Sequence, residues 1–406
     1  MYTLNEIENL IDTLTKPNTS SPYPERLVKV LKDFGDVTNY MKTFPTNIGL
    51  DDTNFANQIL EKINELWNPL YKIAEDYKNP ATRQKIEIAK QTLDQFISDH
   101  PGFFGSDPDI LLRIENAGVT RRYPYTGTFF ISLPDVNILD PADSSQSVWQ
   151  SSLAHELGHY VYWNSTFNTA DGSKFSEEDQ EPLFTKDIEQ KLQELDFTNF
   201  GKQKTQTAKD ALSVTLASWS EEVFADLIGV KLLGEKFVTS SYDKAFDRIV
   251  SDKEGSYLED MDHPLPYLRP FIAAEALKIE ENNPYRKLWE SFKSKLSATL
   301  KNFNEAKLAL TVGVITPDEP QKNPLVQVSI DIPLLQNALR LAIQCLSDGI
   351  NTAKPLSSSN LSGLERFRMM LAEEFLLGFP PVLERGDWRG FWRRLRRRIR
   401  RVIKLK

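Results

Sequence analysis

Two histidines four residues apart, His155 and His159, are the residues of this chain best suited to hold a metal ion. They begin and end the stretch HELGH, and the sequence around it, SVWQSSLAHELGHYVYW, has helical spacing and no proline. Residues four apart on an α-helix project from the same face about one turn apart, so both imidazoles can point at one ion. The alternative is that two histidines of a buried helix fall one turn apart by chance.

The motif predicts hydrolytic chemistry if the histidines bind zinc. Imidazole nitrogen suits zinc, and zinc lowers the pKa of a bound water to about 7. Glu156, between the histidines, is placed to remove a proton from that water and to pass it later to a leaving amine. The spacing therefore predicts a zinc-dependent hydrolase with Glu156 as its general base.

A third zinc ligand is needed, because catalytic zinc sites use three protein ligands and leave a fourth position open. One class of HExxH protease supplies it from a glycine and histidine that follow the second histidine directly. Tyr162 and Ser165 stand at those positions here, which excludes that class. The ligand must come from elsewhere, and a glutamate on a later helix is the alternative.

The segment SWSEEVFADLIG is predicted to be helical and places Glu222 and Asp226 on one face. With HELGH, this Glu-x-x-x-Asp pattern resembles the gluzincins, the thermolysin-like superfamily of zinc peptidases, over roughly residues 127–270. The resemblance implies that Glu222 is the third ligand of one zinc ion and that Asp226 orients a ligand histidine. Glu221 competes for the ligand role, but the residue four positions after it is Ala225, which is not acidic.

The segment DHPLPYLRPF follows the third ligand in sequence. In gluzincins a histidine in this region stabilises the oxyanion, and the resemblance assigns that role to His263, with Tyr267 as the alternative donor. Arg269 is either a contact for a substrate carboxylate or a structural ion-pair partner. A loop histidine that only caps a helix is the other interpretation of His263.

The run GTFFISL precedes the HExxH helix, where zincins commonly hold an extended substrate against an edge strand. Gly127, Phe129 and Ile131 are therefore candidate substrate-binding residues, through backbone pairing that does not depend on side chains. The run does not alternate cleanly between apolar and polar residues, so a central, buried strand is the alternative.

The resemblance also bears on specificity. The sequence lacks the Gly-x-Met-x-Asn signature with which many gluzincin aminopeptidases bind a substrate amino terminus. An endopeptidase or a narrow-specificity processing enzyme is therefore expected, with a peptide or protein as substrate.

Composition indicates a folded chain and fits a reducing compartment. Of 406 residues only Cys345 is a cysteine, so no intramolecular disulfide can form. The amino-terminal stretch carries acidic residues and no long apolar core, and no run of about 18 apolar residues occurs, so neither a secretory signal nor a membrane-spanning helix is predicted. A cytoplasmic location is the expectation.

Charge is unevenly distributed along the chain. The net charge is −8, yet residues 388–406 hold ten Lys or Arg and no acid, so subtraction leaves −18 for residues 1–387. An acidic body repels phosphates, which makes nucleic-acid binding less expected. As a helix, the basic segment would be amphipathic and would suit an anionic membrane surface, an acidic partner or its own domain.

The elements that must position these residues are mostly helical. We expect an α+β fold, predominantly helical, with a zincin-like catalytic core that has a small sheet and an HExxH active-site helix. The polar stretch from about 164 to 185 predicts a surface loop, and Gly234 predicts the end of the helix that carries Glu222. The predicted domains are a helical amino-terminal region (1–105), a zincin-like metallopeptidase domain (106–315), a linker with a small helical segment (316–360) and a carboxy-terminal segment with the cationic helix (361–406).

Two function classes follow from these patterns. The first is a zinc metallopeptidase, and the second is a non-catalytic protein on a zincin scaffold that acts at a membrane surface or a partner through its cationic helix. Glu156 favours the first class, because a retired enzyme has no need of a general base.

Overall fold

The computed structural model describes residues 1–16, 23–48, 53–105, 108–115, 119–122, 128–135, 145–170, 172–175, 182–197, 201–251, 263–277, 284–300, 309–315 and 325–356. Two features predicted from the sequence, Gly127 and the cationic segment 388–406, lie outside these residues. The other candidate site residues lie within them.

Helices dominate the described residues. They are α1 (Leu4–Thr15), α2 (Glu25–Ile48), α3 (Thr53–Lys78), α4 (Pro80–Asp99), α5 (Pro101–Phe104), α6 (Ser145–Trp163), α7 (Thr185–Leu192), α8 (Gly201–Leu233), α9 (Glu235–Ser251), α10 (Arg269–Ala276), α11 (Pro284–Thr299) and α12 (Ile332–Thr352). The strands are β1 (Ile110–Glu115), β2 (Val119–Arg122), β3 (Phe129–Pro134), β4 (Ser165–Thr169), β5 (Gly172–Phe175), β6 (Ala309–Ile315), β7 (Leu325–Asp331) and β8 (Lys354–Pro355). The predicted α+β class, predominantly helical with a small sheet, is confirmed. None of the helices in these ranges combines the length and apolarity needed to cross a membrane.

The chain divides into two compact units. The first draws its described residues from 1–93 and 107–139, and the second from 94–106 and 140–356. These divisions fall at other positions than the predicted domain boundaries, which stay a prediction. In particular, the predicted linker region contributes α12, whose apolar stripe is buried within the second unit.

Helices and one sheet make up the first unit. A capping box at the start of α1, in which Thr3 and Glu6 exchange hydrogen bonds, fixes the first turn of that helix. Trp67 of α3 is fully buried and stacks on Phe34 of α2 with ring centroids 5.8 Å apart. The large apolar residues on α1, α2 and α3 thus form the helical core of this unit.

Strand β3 lies in the middle of the sheet of the first unit, whose strand order is β1-β3-β2. It pairs in parallel with β1 and antiparallel with β2. The prediction that this strand offers a free edge to a substrate is therefore wrong, because both of its edges already pair with neighbours. Phe129 and Ile131 are core residues at 1 % and 0 % exposure, as expected in a central strand that is covered on both faces.

The second unit is built around α6 and α8, which pack against each other. Both helices contact α9, and α8 also contacts α12. Helix α6 is buried on nearly every side. Its large or apolar residues in the core are Trp149, Leu153, Ala154, Leu157, Tyr160 and Val161. Helix α8 ends at Leu233, and Gly234 follows with φ 59°, a left-handed conformation that favours glycine. The predicted end of this helix is confirmed.

The stretch after α6 forms a β-hairpin, so the predicted loop over about 164 to 185 is wrong for part of its length. Strand β4 pairs antiparallel with β5 on one side and with β8 on the other. Phe167 of β4 is fully buried and its ring packs edge-on against Phe184 and Phe224. This one aromatic side chain anchors an otherwise polar strand to the core.

Candidate metal centre

Helix α6 places His155 and His159 one turn apart on the same face. Their rings meet edge-on with centroids 4.8 Å apart, and the two Nε2 atoms are separated by 3.2 Å. Both side chains are largely buried, with 15 % and 10 % of their surface exposed. The helical spacing in the sequence thus becomes a pair of convergent imidazoles.

Helix α8 brings Glu222 to the same point. Its Oε2 lies 3.4 Å from Nε2 of His155 and its Oε1 lies 3.5 Å from Nε2 of His159. Within the described residues, these three side chains form a cluster that offers three metal-ligand atoms within 4.8 Å of one another. The structure therefore brings together the three residues that the sequence selects.

Gly158 allows α6 and α8 to approach closely enough for this cluster to form. A Cβ atom at that position would lie 2.4 Å from the Cα of Ala225 and 2.7 Å from its carbonyl oxygen. Ala225 is on α8, three residues after Glu222, so the backbone of the second helix occupies the space that any larger residue would need. This glycine of the HELGH motif thus sets the distance between the two halves of the site.

Each histidine is held by a carboxylate on its other ring nitrogen. Nδ1 of His155 lies 3.0 Å from Oδ1 of Asp226, and Nδ1 of His159 lies 2.9 Å from Oε1 of Glu221. An ionised carboxylate only accepts hydrogen bonds, so both Nδ1 atoms carry the proton and donate it. In the neutral rings, the lone pairs are then on the two Nε2 atoms that face each other and Glu222.

This arrangement fits a zinc ion. Two imidazole nitrogens and a carboxylate that converge this closely repel one another unless a positive charge, either a proton or a metal ion, lies between them. A tetrahedral zinc with bonds of about 2.0–2.1 Å has ligand atoms about 3.3 Å apart, close to the separations observed here. Two imidazoles and one carboxylate are also a known donor set of catalytic zinc.

The electrostatics of the cluster favour positive charge. Burial opposes charge on His155, but hydrogen bonds with Asp226 and Glu222 outweigh it and raise the pKa of this imidazole to about 9. Burial likewise opposes ionisation of Glu222, yet the neighbouring His155 and Arg269 lower the pKa of its carboxyl. The surroundings thus stabilise a cation next to an ionised Glu222.

Arg269, the first residue of α10, ties the carboxylates together. Its Nη1 donates to Oε2 of Glu222 at 3.1 Å and its Nη2 donates to Oδ1 of Asp226 at 2.6 Å. Of the two roles considered for Arg269, the structure therefore places it in the ion-pair role. The guanidinium offsets the negative charge that two neighbouring carboxylates on α8 would otherwise accumulate.

The remaining catalytic candidates occupy different surroundings. Glu156 is buried at 5 % exposure on α6. His263 is half exposed, and its Nε2 lies 3.6 Å from Oε1 of Glu222, beside the cluster. Tyr267 is fully buried, with its ring against those of Trp289 and Phe292. Of the two proposed oxyanion donors, His263 lies beside Glu222 of the candidate metal cluster.

The roles of two residues near this centre were not predicted from the sequence. Glu221 appeared only as a rival ligand, whereas its carboxylate holds His159; two adjacent acids opposite two histidines are a signal that could have suggested this. Lys244 of α9 donates to Oγ of Ser152, one turn before Glu156 on α6. No sequence motif marks Lys244.

Comparisons of the chain with protein-family models, with curated proteins and with solved structures find no match. The interpretation of the centre therefore rests on its residues and their geometry.

Proposed function

We propose that this chain is a zinc metallopeptidase of the gluzincin type, with a zincin-like catalytic core, that hydrolyses internal peptide bonds. One observation carries the proposal: two histidine Nε2 atoms 3.2 Å apart converge with the Glu222 carboxylate, while acids on α8 fix both Nδ1 atoms. His155, His159 and Glu222 would hold one zinc ion. When bound, zinc supplies Lewis acidity, which acidifies water and polarises a carbonyl group.

The chain's own residues then manage the protons. Glu156 accepts a proton from the attacking water at its carboxylate and delivers it to the nitrogen of the leaving amine. His263 donates a hydrogen bond from its ring to the carbonyl oxygen as negative charge develops there. Asp226 and Glu221 keep the two ligand histidines in the tautomer that directs Nε2 toward the centre.

Metal analysis together with a peptide-cleavage screen tests this function. The purified full-length chain is expected to contain about one zinc per molecule and to cleave a subset of a diverse peptide mixture. Chelation should abolish cleavage and added zinc should restore it. A chain that takes up no zinc and cleaves no peptide would show the proposal to be wrong.

Neutralising Glu221, the carboxylate that holds His159, is expected to weaken zinc binding without abolishing it. Glu221→Gln should keep the metal but weaken zinc affinity by about 10- to 100-fold, because the neutral amide no longer stabilises the polarised imidazole. Competition against a fluorescent chelator measures the change, and Glu194→Gln, an exposed carboxylate of the same unit, is the matched control. Unchanged affinity in Glu221→Gln would mean that this contact does not support the metal.

A further inference from the structure

Lys244 is a half-buried cation whose charge is only partly offset by its neighbours. Its Nζ donates to Oγ of Ser152 at 2.9 Å, and among the residues that the structure describes no carboxylate lies within ion-pair distance of it. Burial and the nearby Arg269 lower the pKa of this ammonium to about 8. An ammonium group has three N–H donors, and burial of an incompletely paired charge is costly. A further hydrogen-bond acceptor would therefore stabilise the charged form of Lys244.

The position of Lys244 points to what that acceptor is. Ser152 lies four residues before Glu156, so the two share a face of α6 and the ammonium lies about one helical turn from the general base. The charges of Asp226 and Glu156 are close enough to act on Lys244. The ammonium is therefore on the side of α6 where a peptide would have to pass for Glu156 to act on it.

Arg269 is the neighbouring cation, but it is not available to bind a substrate carboxylate, because Glu222 and Asp226 already engage its guanidinium. Lys244 instead donates to a neutral hydroxyl. The two basic residues near the centre thus differ. Arg269 is paired with two carboxylates of the protein, whereas Lys244 retains N–H donors that can bind a ligand.

We propose that Lys244 binds a carboxylate of the substrate close to the bond that is cut, so that the enzyme selects peptides with an acidic group there. This rests on the function proposed above and names its substrate class. A single ammonium beside several acidic side chains suits one carboxylate better than a phosphate dianion, which those acids would repel more strongly. The carboxylate is either an aspartate or glutamate side chain or the carboxyl terminus of the peptide.

Binding of small probes to the full-length chain tests this inference without depending on turnover. N-acetylaspartate amide offers only a side-chain carboxylate, N-acetylalanine only a terminal one, and N-acetylalanine amide neither. Titrations followed by NMR or calorimetry, with and without zinc, compare wild type, Lys244→Met and Lys244→Arg. Lys236→Met, an exposed lysine on the same helix, is the matched control.

We expect at least one carboxylate probe to bind wild type about 10- to 100-fold more tightly than the neutral probe, as a charge-assisted hydrogen bond in a half-buried site would give. Lys244→Met should remove this preference, while Lys244→Arg and Lys236→Met should keep it. The probe that is preferred identifies the source of the carboxylate.

Two results would overturn the inference. Wild type with no preference for either carboxylate probe would do so even if Lys244→Met failed to fold. A preference that persists in Lys244→Met would assign the carboxylate to the metal or to another group. Failure of the proposed function is seen separately, as absence of zinc and of cleavage, because the binding comparison is also made on zinc-free chain.

Discussion

Replacement of Glu156 by glutamine is expected to slow peptide hydrolysis by about 10²- to 10⁴-fold while zinc remains bound. The amide keeps the size of the side chain and one acceptor oxygen but cannot take a proton from water. Glu156 is not one of the three residues of the cluster, and it is not one of the two carboxylates that hold the histidines. The affinity for zinc should therefore change little. Initial rates on a cleaved peptide and metal content by mass spectrometry measure the two effects.

The control for this variant is Glu235→Gln, which makes the same change at an exposed position of the second unit. It should retain wild-type rate and metal content. Wild-type hydrolysis by Glu156→Gln would contradict the mechanism directly. Loss of zinc from the same variant would instead assign Glu156 to the metal and call for a different general base.

Local periodicity explains why the core of the site could be predicted. The positions of His155 and His159 depend only on the pitch of one helix, and that of Asp226 relative to Glu222 only on the pitch of another. The resemblance to gluzincins then implied that the two helices meet at one ion. The residues whose roles follow from spacing within one helix are the ones that the sequence could identify.

Glu221 shows where that reasoning stops. Adjacent residues on a helix point about 100° apart, so the rotation of α8 about its axis decides which glutamate faces the two Nε2 atoms. That rotation is set by packing, through the close approach of Ala225 to Gly158 and the burial of Trp219 and Phe224. Lys244 is a similar case, because its position depends on how α9 packs against α6.

The prediction that β3 offers a free edge to a substrate was not favoured by the sequence of the strand itself. The run from Phe129 to Leu133 is apolar except for Ser132, which is typical of a strand covered on both faces, and all five residues are buried. Strand order, by contrast, depends on pairing between distant segments, which no pattern within one run records. The polar hairpin after α6 escaped prediction for a related reason, because Phe167 is the one large apolar residue of β4, the strand of the hairpin whose burial is described throughout.

Gly158→Ala is expected to destabilise the second unit and to weaken zinc binding together. Alanine is favoured over glycine in a helix by about 1 kcal/mol, but here its Cβ would overlap the backbone of α8, and overpacking of this kind costs about 1–3 kcal/mol or more. Relief requires the helices to separate, which moves Glu222 away from His155 and His159. Thermal unfolding and zinc affinity measure the two effects.

Gly102→Ala is the matched control, since a Cβ at that helical glycine would meet nothing within 4 Å. It should leave zinc affinity unchanged and either raise the unfolding temperature slightly or leave it unchanged. If Gly158→Ala behaved like Gly102→Ala, the close approach of α6 and α8 would not be what assembles the centre.

A double variant separates contact with the backbone from contact with a side chain. The three atoms nearest to a Cβ at position 158 are Cα, O and C of Ala225, all of them backbone atoms. Ala225→Gly removes only a methyl group and leaves those atoms in place, so it should fail to rescue Gly158→Ala. Recovery of zinc affinity in the double variant would mean that the alanine side chain, rather than the backbone of α8, limits how closely the helices pack.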